Sequence, residues 1–228
     1  MKAALYTEPH HIAIVVRELR PLQQGEALVQ IHACGICGTD LHIIEGTSHS
    51  RPPVVLGHEF AGLVLDLAGE YPGIRVGTRV AVDPNISCGV CYYCRRGSVH
   101  LCSNLTALGV DRDGGMAEFC IVPVQQLHAL PDTVAFETGV LVEPVSCALH
   151  GIDRAGIRTG DSVVIIGGGT IGLLMLQLAR HAGATRIVVV EPAEHKRKAA
   201  ETLGADVTLD PLGTDIRSVV FDLTSVGA

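Results

Sequence analysis

The stretch Val163-Val164-Ile165-Ile166-Gly167-Gly168-Gly169-Thr170-Ile171-Gly172 constrains the fold of this chain more than any other. Four apolar β-branched residues in a row read as a strand buried on both faces. They lead straight into G-x-G-x-x-G, and a helical pattern over Thr170–His181 follows. Gly167, Gly169 and Gly172 let the backbone turn sharply, approach a pyrophosphate closely and pack a helix onto the strand end. The helix N-terminus then stabilises the phosphate charge. Ile171 lies inside the same loop and is counted with these glycines among the cofactor-binding residues. Alone, G-x-G-x-x-G is weak evidence; between a strand and a helix it predicts a dinucleotide site.

The alternation continues with a strand at Ile187–Val190, a helix at Glu194–Leu203, a strand at Val207–Leu209 and the start of another helix. That order predicts a parallel sheet with crossover helices. Glu191 ends the second of these strands, about 20 residues past the glycine loop, where an acid accepts hydrogen bonds from the adenosine ribose hydroxyls and repels a 2′-phosphate. The expected cofactor is therefore NAD. Lys196 flanks the adenosine, and His195 or Lys196 softens the preference for NAD over NADP. After the third strand little sequence remains, so the domain is expected to be truncated, with Val163–Ile166 left as an open apolar edge that natural sheets avoid. Val226-Gly227-Ala228 stands where a fourth strand is expected next.

Before residue 150 the character differs: short strand-like segments at 26–33, 59–67, 78–83 and 117–123, separated by Gly- and Pro-bearing loops. A helix is predicted from Glu143 toward Arg154, ending near Gly156. The boundary between the two regions is placed within 150–160, giving domains of 1–152 and 153–228.

Cys88, Cys91, Cys94 and Cys102 are spaced C-x2-C-x2-C-x7-C, with Gly89 and Gly97 allowing tight turns. Four thiolates this close in sequence surround one tetrahedral zinc and leave it no open position, so such a site is structural. An iron–sulfur cluster is the rival, since it also takes four thiolates.

Three further segments are built to converge: Cys34-Gly35-Ile36-Cys37-Gly38-Thr39-Asp40-Leu41-His42, then Gly57-His58-Glu59-Phe60, then Glu143-Pro144-Val145-Ser146-Cys147. A catalytic zinc needs about three protein ligands and one position left open. Cys37 and His58 supply sulfur and nitrogen, and Glu59 or Glu143 supplies oxygen. Zinc so held lowers the pKa of an alcohol, and Thr39 with His42 forms a relay that passes the proton to water. Cys34, Cys120 and Cys147 are expected to be small buried side chains, with Cys147, four residues past Glu143, as an alternative ligand.

The net charge of -7 argues against a protein that coats nucleic acid, and the short basic cluster, Lys196-Arg197-Lys198 on an amphipathic helix, reads as a solvated face. No apolar stretch approaches the ~20 residues of a membrane span, and the N-terminus lacks the apolar segment of a signal peptide. Eight cysteines in such a chain suit metal in a reducing cytoplasm better than disulfides.

Taken together, these residues resemble those of the medium-chain zinc-dependent dehydrogenases from Met1 to Ala228, most closely the branch holding sorbitol, other polyol and threonine dehydrogenases. Cys37-Gly38-Thr39-Asp40-Leu41-His42 and Gly57-His58-Glu59 match that family's catalytic zinc and relay motifs, and Glu143-Pro144 matches this branch better than the ethanol-type enzymes, which carry a cysteine there. The resemblance implies a GroES-like β-rich catalytic domain followed by an α/β Rossmann domain, two zinc ions per chain, and hydride transfer from a secondary alcohol to NAD. It also implies a homo-oligomer when complete. The alternatives are a threonine 3-dehydrogenase-like activity and a catalytically inactive zinc-binding remnant.

Overall fold

A computed structural model describes residues 1–224; Val226–Ala228, where a further strand was expected to follow, lie outside the described residues. The chain divides into two compact units, Met1–Glu143 and Pro144–Ala228.

The first unit is β-rich. Strand β1 (Lys2–Glu8) forms a hairpin with β2 (His11–Val16), turned at His10, which takes a positive φ of 63°. On its other side β1 pairs with β4 (Val54–Val55). The main sheet has five strands. Long β3 (Glu26–Cys34) sits between β9 (Phe119–Pro123) and β5 (Phe60–Leu67), and β5 leads through β6 (Arg79–Val82) to β10 (Leu127–Ala129). All of these pairings are antiparallel. Their inward side chains, among them Val29, Phe60, Val64, Val80 and Val122, are almost fully buried and make one continuous core with Leu108 from outside the sheet. The alternation of apolar and polar residues along each strand sends one face into that core. A two-stranded ribbon, β7 (Asn85–Ile86) with β8 (Thr106–Ala107), carries the cysteine lobe between its strands. Two short helices complete the unit: α1 (Gly38–Ile44), directly after β3, and α2 (Phe136–Gly139). Sequence periodicity does not announce α1, and the β1–β2 hairpin was likewise not among the expected strands.

The second unit opens with α3 (Val142–Ala155), whose first two residues belong to the first unit. It is followed by β11 (Ser162–Ile166), α4 (Thr170–Ala182), β12 (Arg186–Val190), α5 (Glu194–Thr202), β13 (Val207–Leu209) and α6 (Ile216–Thr224). The three strands form a parallel sheet in the order β11-β12-β13. Among the described residues β11 has no partner on its far side, and Ile166 at its end is 86% exposed. Central β12 is buried from Ile187 to Val190, with Ile187 and Val189 in one cluster with Leu176 and Ala179 of α4 and Ala200 of α5. Among the described residues no helix is long and apolar enough to cross a membrane.

Along α3 the buried stripe is Pro144, Ala148 and Ile152, spaced by four. Cys147 stands about 100° away from that stripe and is exposed, which corrects the expectation that it is buried. Cys120 is buried and Cys34 partly so. Burial is the largest factor pushing both thiols up to about 12, so neither is a reactive thiolate.

Candidate functional site

In the first unit, strand β3 ends at Cys34, and after Gly35 and Ile36 the chain reaches Cys37, the N-cap of α1. The cap is reciprocal. Asp40, at the third helical position, accepts a hydrogen bond from the Cys37 backbone N–H at 2.8 Å, while the Cys37 side chain faces the Asp40 backbone. This is the capping-box arrangement with a cysteine at the cap, and it aims the Cys37 sulfur off the helix start. Asp40 is only 1% exposed. Its other oxygen accepts from the Gly57 N–H at 3.3 Å and lies 3.6 Å from His58 Nδ1.

Gly57 takes φ +92°, and a Cβ there would come within 2.7 Å of Cys34 Sγ and Met116 Cγ. Only glycine lets the chain turn this tightly while handing His58 and Glu59 inward. Gly35 works similarly: a Cβ on it would collide with the Glu59 carboxylate, while its N–H donates to the Glu59 carbonyl at 2.7 Å.

The result is that donor atoms of Cys37, His58 and Glu59 lie within 4.8 Å of one another. His58 Nδ1 is buried and has no hydrogen-bond partner; 3.6 Å is an ion-pair distance and too long for a hydrogen bond. An orphaned buried nitrogen is costly unless something else compensates it. Burial disfavours the charged imidazole, but the Asp40 carboxylate and the Cys37 side chain outweigh it and push His58 up to about 9. A thiol, an imidazole and a carboxylate brought this close together form a donor set suited to a cation. Sulfur, imidazole and carboxylate are the ligand types zinc accepts, so the residues fit the metal.

Thr39 Oγ1 lies 3.6 Å from Cys37 Sγ. His42, three residues on and so on the same helical face, is exposed, with Nδ1 3.5 Å from Glu45. Glu143 occupies the first turn of α3 and is not one of the three converging side chains. The residue missed in sequence is Asp40. It stood inside the motif, and an acid three positions after a cap residue was the available signal.

The four cysteines of the lobe also converge, all within 4.8 Å. Cys91 Sγ is 3.5 Å from Cys94 Sγ and 4.0 Å from Cys102 Sγ. A tetrahedral zinc with Zn–S near 2.3 Å asks for S···S of about 3.8 Å, and the observed separations bracket that. Backbone N–H groups of Cys88 and Asn104 each reach Cys102 Sγ at 3.3 Å, and those of Cys94 and Ser103 lead in pushing Cys91 down to about 6. Gly89 and Gly97 make the two tight turns at φ +72° and +78°.

In the second unit β11 runs into the glycine loop and Gly169 caps α4. Gly167 takes φ +106°, and a Cβ on Gly172 would collide with the Gly167 carbonyl. The loop therefore closes directly onto the helix start, with space at Gly167 and Gly169 where a Cβ would meet nothing. Glu191 follows β12 and is 6% exposed. It accepts from the Ala193 N–H at 2.9 Å and the Gly168 N–H at 2.8 Å, in that order the leading reasons its carboxyl stays below the usual range. A charged, fixed acid beside an open glycine loop at a helix N-terminus fits the adenosine half of a dinucleotide. Ile171 lies in the first turn of α4, and exposed Lys196 in the first turn of α5.

Comparison with known proteins agrees with both halves. The alcohol dehydrogenase GroES-like domain family matches residues 23–132 and the zinc-binding dehydrogenase family residues 170–228. L-threonine 3-dehydrogenase of Pyrococcus furiosus is 40% identical over 98% of this chain, which spans 66% of that enzyme. A zinc-binding dehydrogenase structure from Sinorhizobium meliloti, bound to NADP, superposes with a TM-score of 0.92 at 44% identity, covering 95% of this chain and 64% of that one. The RspB alcohol dehydrogenase of Escherichia coli CFT073, complexed with NADH, gives 0.91 at 33% identity, with coverages of 99% and 66%. The chain thus spans about two thirds of the length of these relatives.

Proposed function

We propose, taking as premise that this chain belongs to the zinc-dependent medium-chain alcohol dehydrogenases, that it serves the oxidation of a secondary alcohol of the polyol class, with NAD as hydride acceptor. The observation that carries the reading is the meeting of the Cys37, His58 and Glu59 donor atoms within 4.8 Å of one another. Cys37 and His58, with Glu59 or Glu143, would hold the catalytic zinc, and Cys88, Cys91, Cys94 and Cys102 a structural one. Catalytic zinc supplies Lewis acidity that lowers the pKa of the substrate hydroxyl.

The remaining work falls to this chain's own groups. Asp40 faces Nδ1 of His58, which leaves Nε2 as the ligand nitrogen. Thr39 takes the hydroxyl proton and His42 delivers it to water, consistent with one being half-buried and the other exposed. Gly167, Gly169, Ile171 and Gly172 receive the pyrophosphate, Glu191 the ribose hydroxyls, and Lys196 flanks the adenosine. Domains of 1–152 and 153–228, a homo-oligomer and a cytoplasmic location complete the proposal.

The test is NADH formation with a panel of polyols and diols, alongside zinc content and inhibition by a chelator. Turnover abolished on chelation, with NAD preferred to NADP, is the expected result; turnover indifferent to zinc removal overturns it. A second reading, oxidation of L-threonine at C3, is favoured by the 40% identity to the Pyrococcus furiosus enzyme. It stands if kcat/KM for L-threonine exceeds that for every polyol.

A further inference from the structure

Glu191 has no helix or strand of its own to hold it. It sits just past the end of β12, in a Glu191-Pro192-Ala193 turn before α5. Its side chain reaches the glycine loop on one side of that turn. On the carbonyl side stands Arg197. One guanidinium nitrogen, Nη1, donates to the Glu191 carbonyl at 2.7 Å and to the Pro192 carbonyl at 2.6 Å. The same nitrogen lies 3.3 Å from Asp210 Oδ2, just past β13. The arginine side chain is only 18% exposed. Pro192 has no N–H to offer; the Glu191 N–H donates to the Leu209 carbonyl at 3.0 Å and the Ala193 N–H to the Glu191 carboxylate, and Arg197 takes the Glu191 and Pro192 carbonyls. Lys196 and then His195 are cations that help hold the Glu191 carboxyl down, while the Arg197 guanidinium is engaged with carbonyls and with Asp210.

We infer that Arg197 is a positioning residue for nucleotide recognition. It clamps the Glu191–Pro192 turn to the end of β13, fixes the acid that reads the adenosine ribose, and spends its own charge internally so that it does not meet a 2′-phosphate. The inference deepens the NAD reading proposed above and rests on it. Arginine in the first two turns of the helix after this acid would, if released, be a ready phosphate ligand. Held against two carbonyls and Asp210, it enforces the preference for a free 2′-hydroxyl instead. Lys196 and His195, both exposed, are the cations left near that hydroxyl.

The test uses calorimetric titration of the chain with ADP-ribose and with 2′-phospho-ADP-ribose, which probe the adenosine half without turnover. The unaltered protein is expected to prefer ADP-ribose. Arg197→Met should weaken ADP-ribose binding about tenfold, the loss of roughly one charge-assisted hydrogen bond's worth of positioning, and narrow the preference over the 2′-phosphate. Arg197→Lys, which keeps a donor near the carbonyls, should restore part of both. If Arg197→Met does not fold, Asp210→Asn carries the same test. It removes one anchor of the clamp but keeps the Oδ1 that accepts from the Leu212 N–H, and a narrowing of about threefold is expected. A preference unmoved in the variant that folds, with the unaltered protein still binding ADP-ribose, overturns the inference alone. No binding of either probe by the unaltered protein overturns the NAD reading and this inference with it.

Discussion

The two candidate metal clusters of the first unit are built by opposite means. The cysteine lobe draws all four ligands from residues 88–102, on short turns between β7 and β8, and its shape comes from glycines and backbone N–H groups. The Cys37–His58–Glu59 cluster takes its ligands from a helix cap and from the approach to a different strand, and they meet only because β3 and β5 pair along their length. Its shape comes from the fold: Asp40 buried beneath it, Gly35 and Gly57 making room. A cluster organised by its own loop should depend on its metal to exist, whereas a cluster organised by a sheet should persist without one. That contrast separates a structural site from one free to leave a position open for substrate.

The largest effect that would break this contrast lies in the lobe. Cys91→Ser should abolish one zinc per chain, unfold the segment between β7 and β8, and expose it to limited proteolysis, because binding and folding are one event in a local thiolate site. Loss of zinc with the segment still protected would mean the lobe is scaffolded by the sheet after all. Cys37→Ala is the counterpart. It should lose the other zinc, retain the lobe zinc, and leave secondary structure and protease resistance as they were. Zinc analysis reading zero, in place of half, would end the claim that the two sites are independent.

The same contrast explains what could be seen in the sequence. The lobe is legible from spacing alone because its geometry is local, and so is the strand, glycine loop and helix around Gly167, where each backbone demand falls on an adjacent residue. The candidate ligands Cys37 and His58, with Glu59 or Glu143, were named by residue type, yet the structure's reason for Cys37, His58 and Glu59 meeting, the β3–β5 register, spans the unit and leaves no short-range trace. Helix α1 was not anticipated, since seven residues with Ile43 the one buried apolar member carry too little periodicity. Asp40 was passed over, and Arg197 was read with Lys196 and Lys198 as a solvated face although its side chain is only 18% exposed, for a related reason. Each looks like an ordinary surface charge until the segment it braces is in place. Cys147 misled in the other direction, because free cysteine is usually buried, while the buried stripe of α3 runs through Ala148 and leaves Cys147 exposed.

A smaller effect sharpens the contrast from within the second cluster. Asp40→Asn should leave Cys37, His58 and Glu59 in place but remove the charge facing His58 Nδ1 and weaken the cap on α1. A lost orienting carboxylate costs about 10- to 100-fold in metal affinity, and a weakened cap about 1 kcal/mol of stability. Competition titration with a zinc chelator reads the first and thermal melting the second. The lobe zinc should be unaffected, and equal weakening at both sites would show them coupled through the fold.

The smallest effect concerns a device in the same unit that uses no metal, and it supplies the baseline for the other three. Glu26, at the start of β3, is buried and holds Arg20 through two hydrogen bonds of 2.6 Å each. Arg20 is the leading reason its carboxyl lies below the usual range; burial opposes this, and the Gln23 N–H and Arg112 assist. A carboxyl whose folded-state pKa is depressed contributes stability that is fully present above its unfolded value, near 4.5, and is lost as pH falls through the folded value. Glu26→Gln should therefore cost about 1 kcal/mol at neutral pH, a modest figure because Arg20 is 44% exposed and solvent screens the pair. The gap between variant and parent in denaturant melts should stay level down to about pH 5 and close below 4.5. Zinc content should remain at two per chain throughout that range above pH 5. A gap that persists at low pH would mean Glu26 acts by packing and not by charge, and a loss of zinc in this variant would show that the strand pairing beneath the Cys37 cluster is weaker than its register implies.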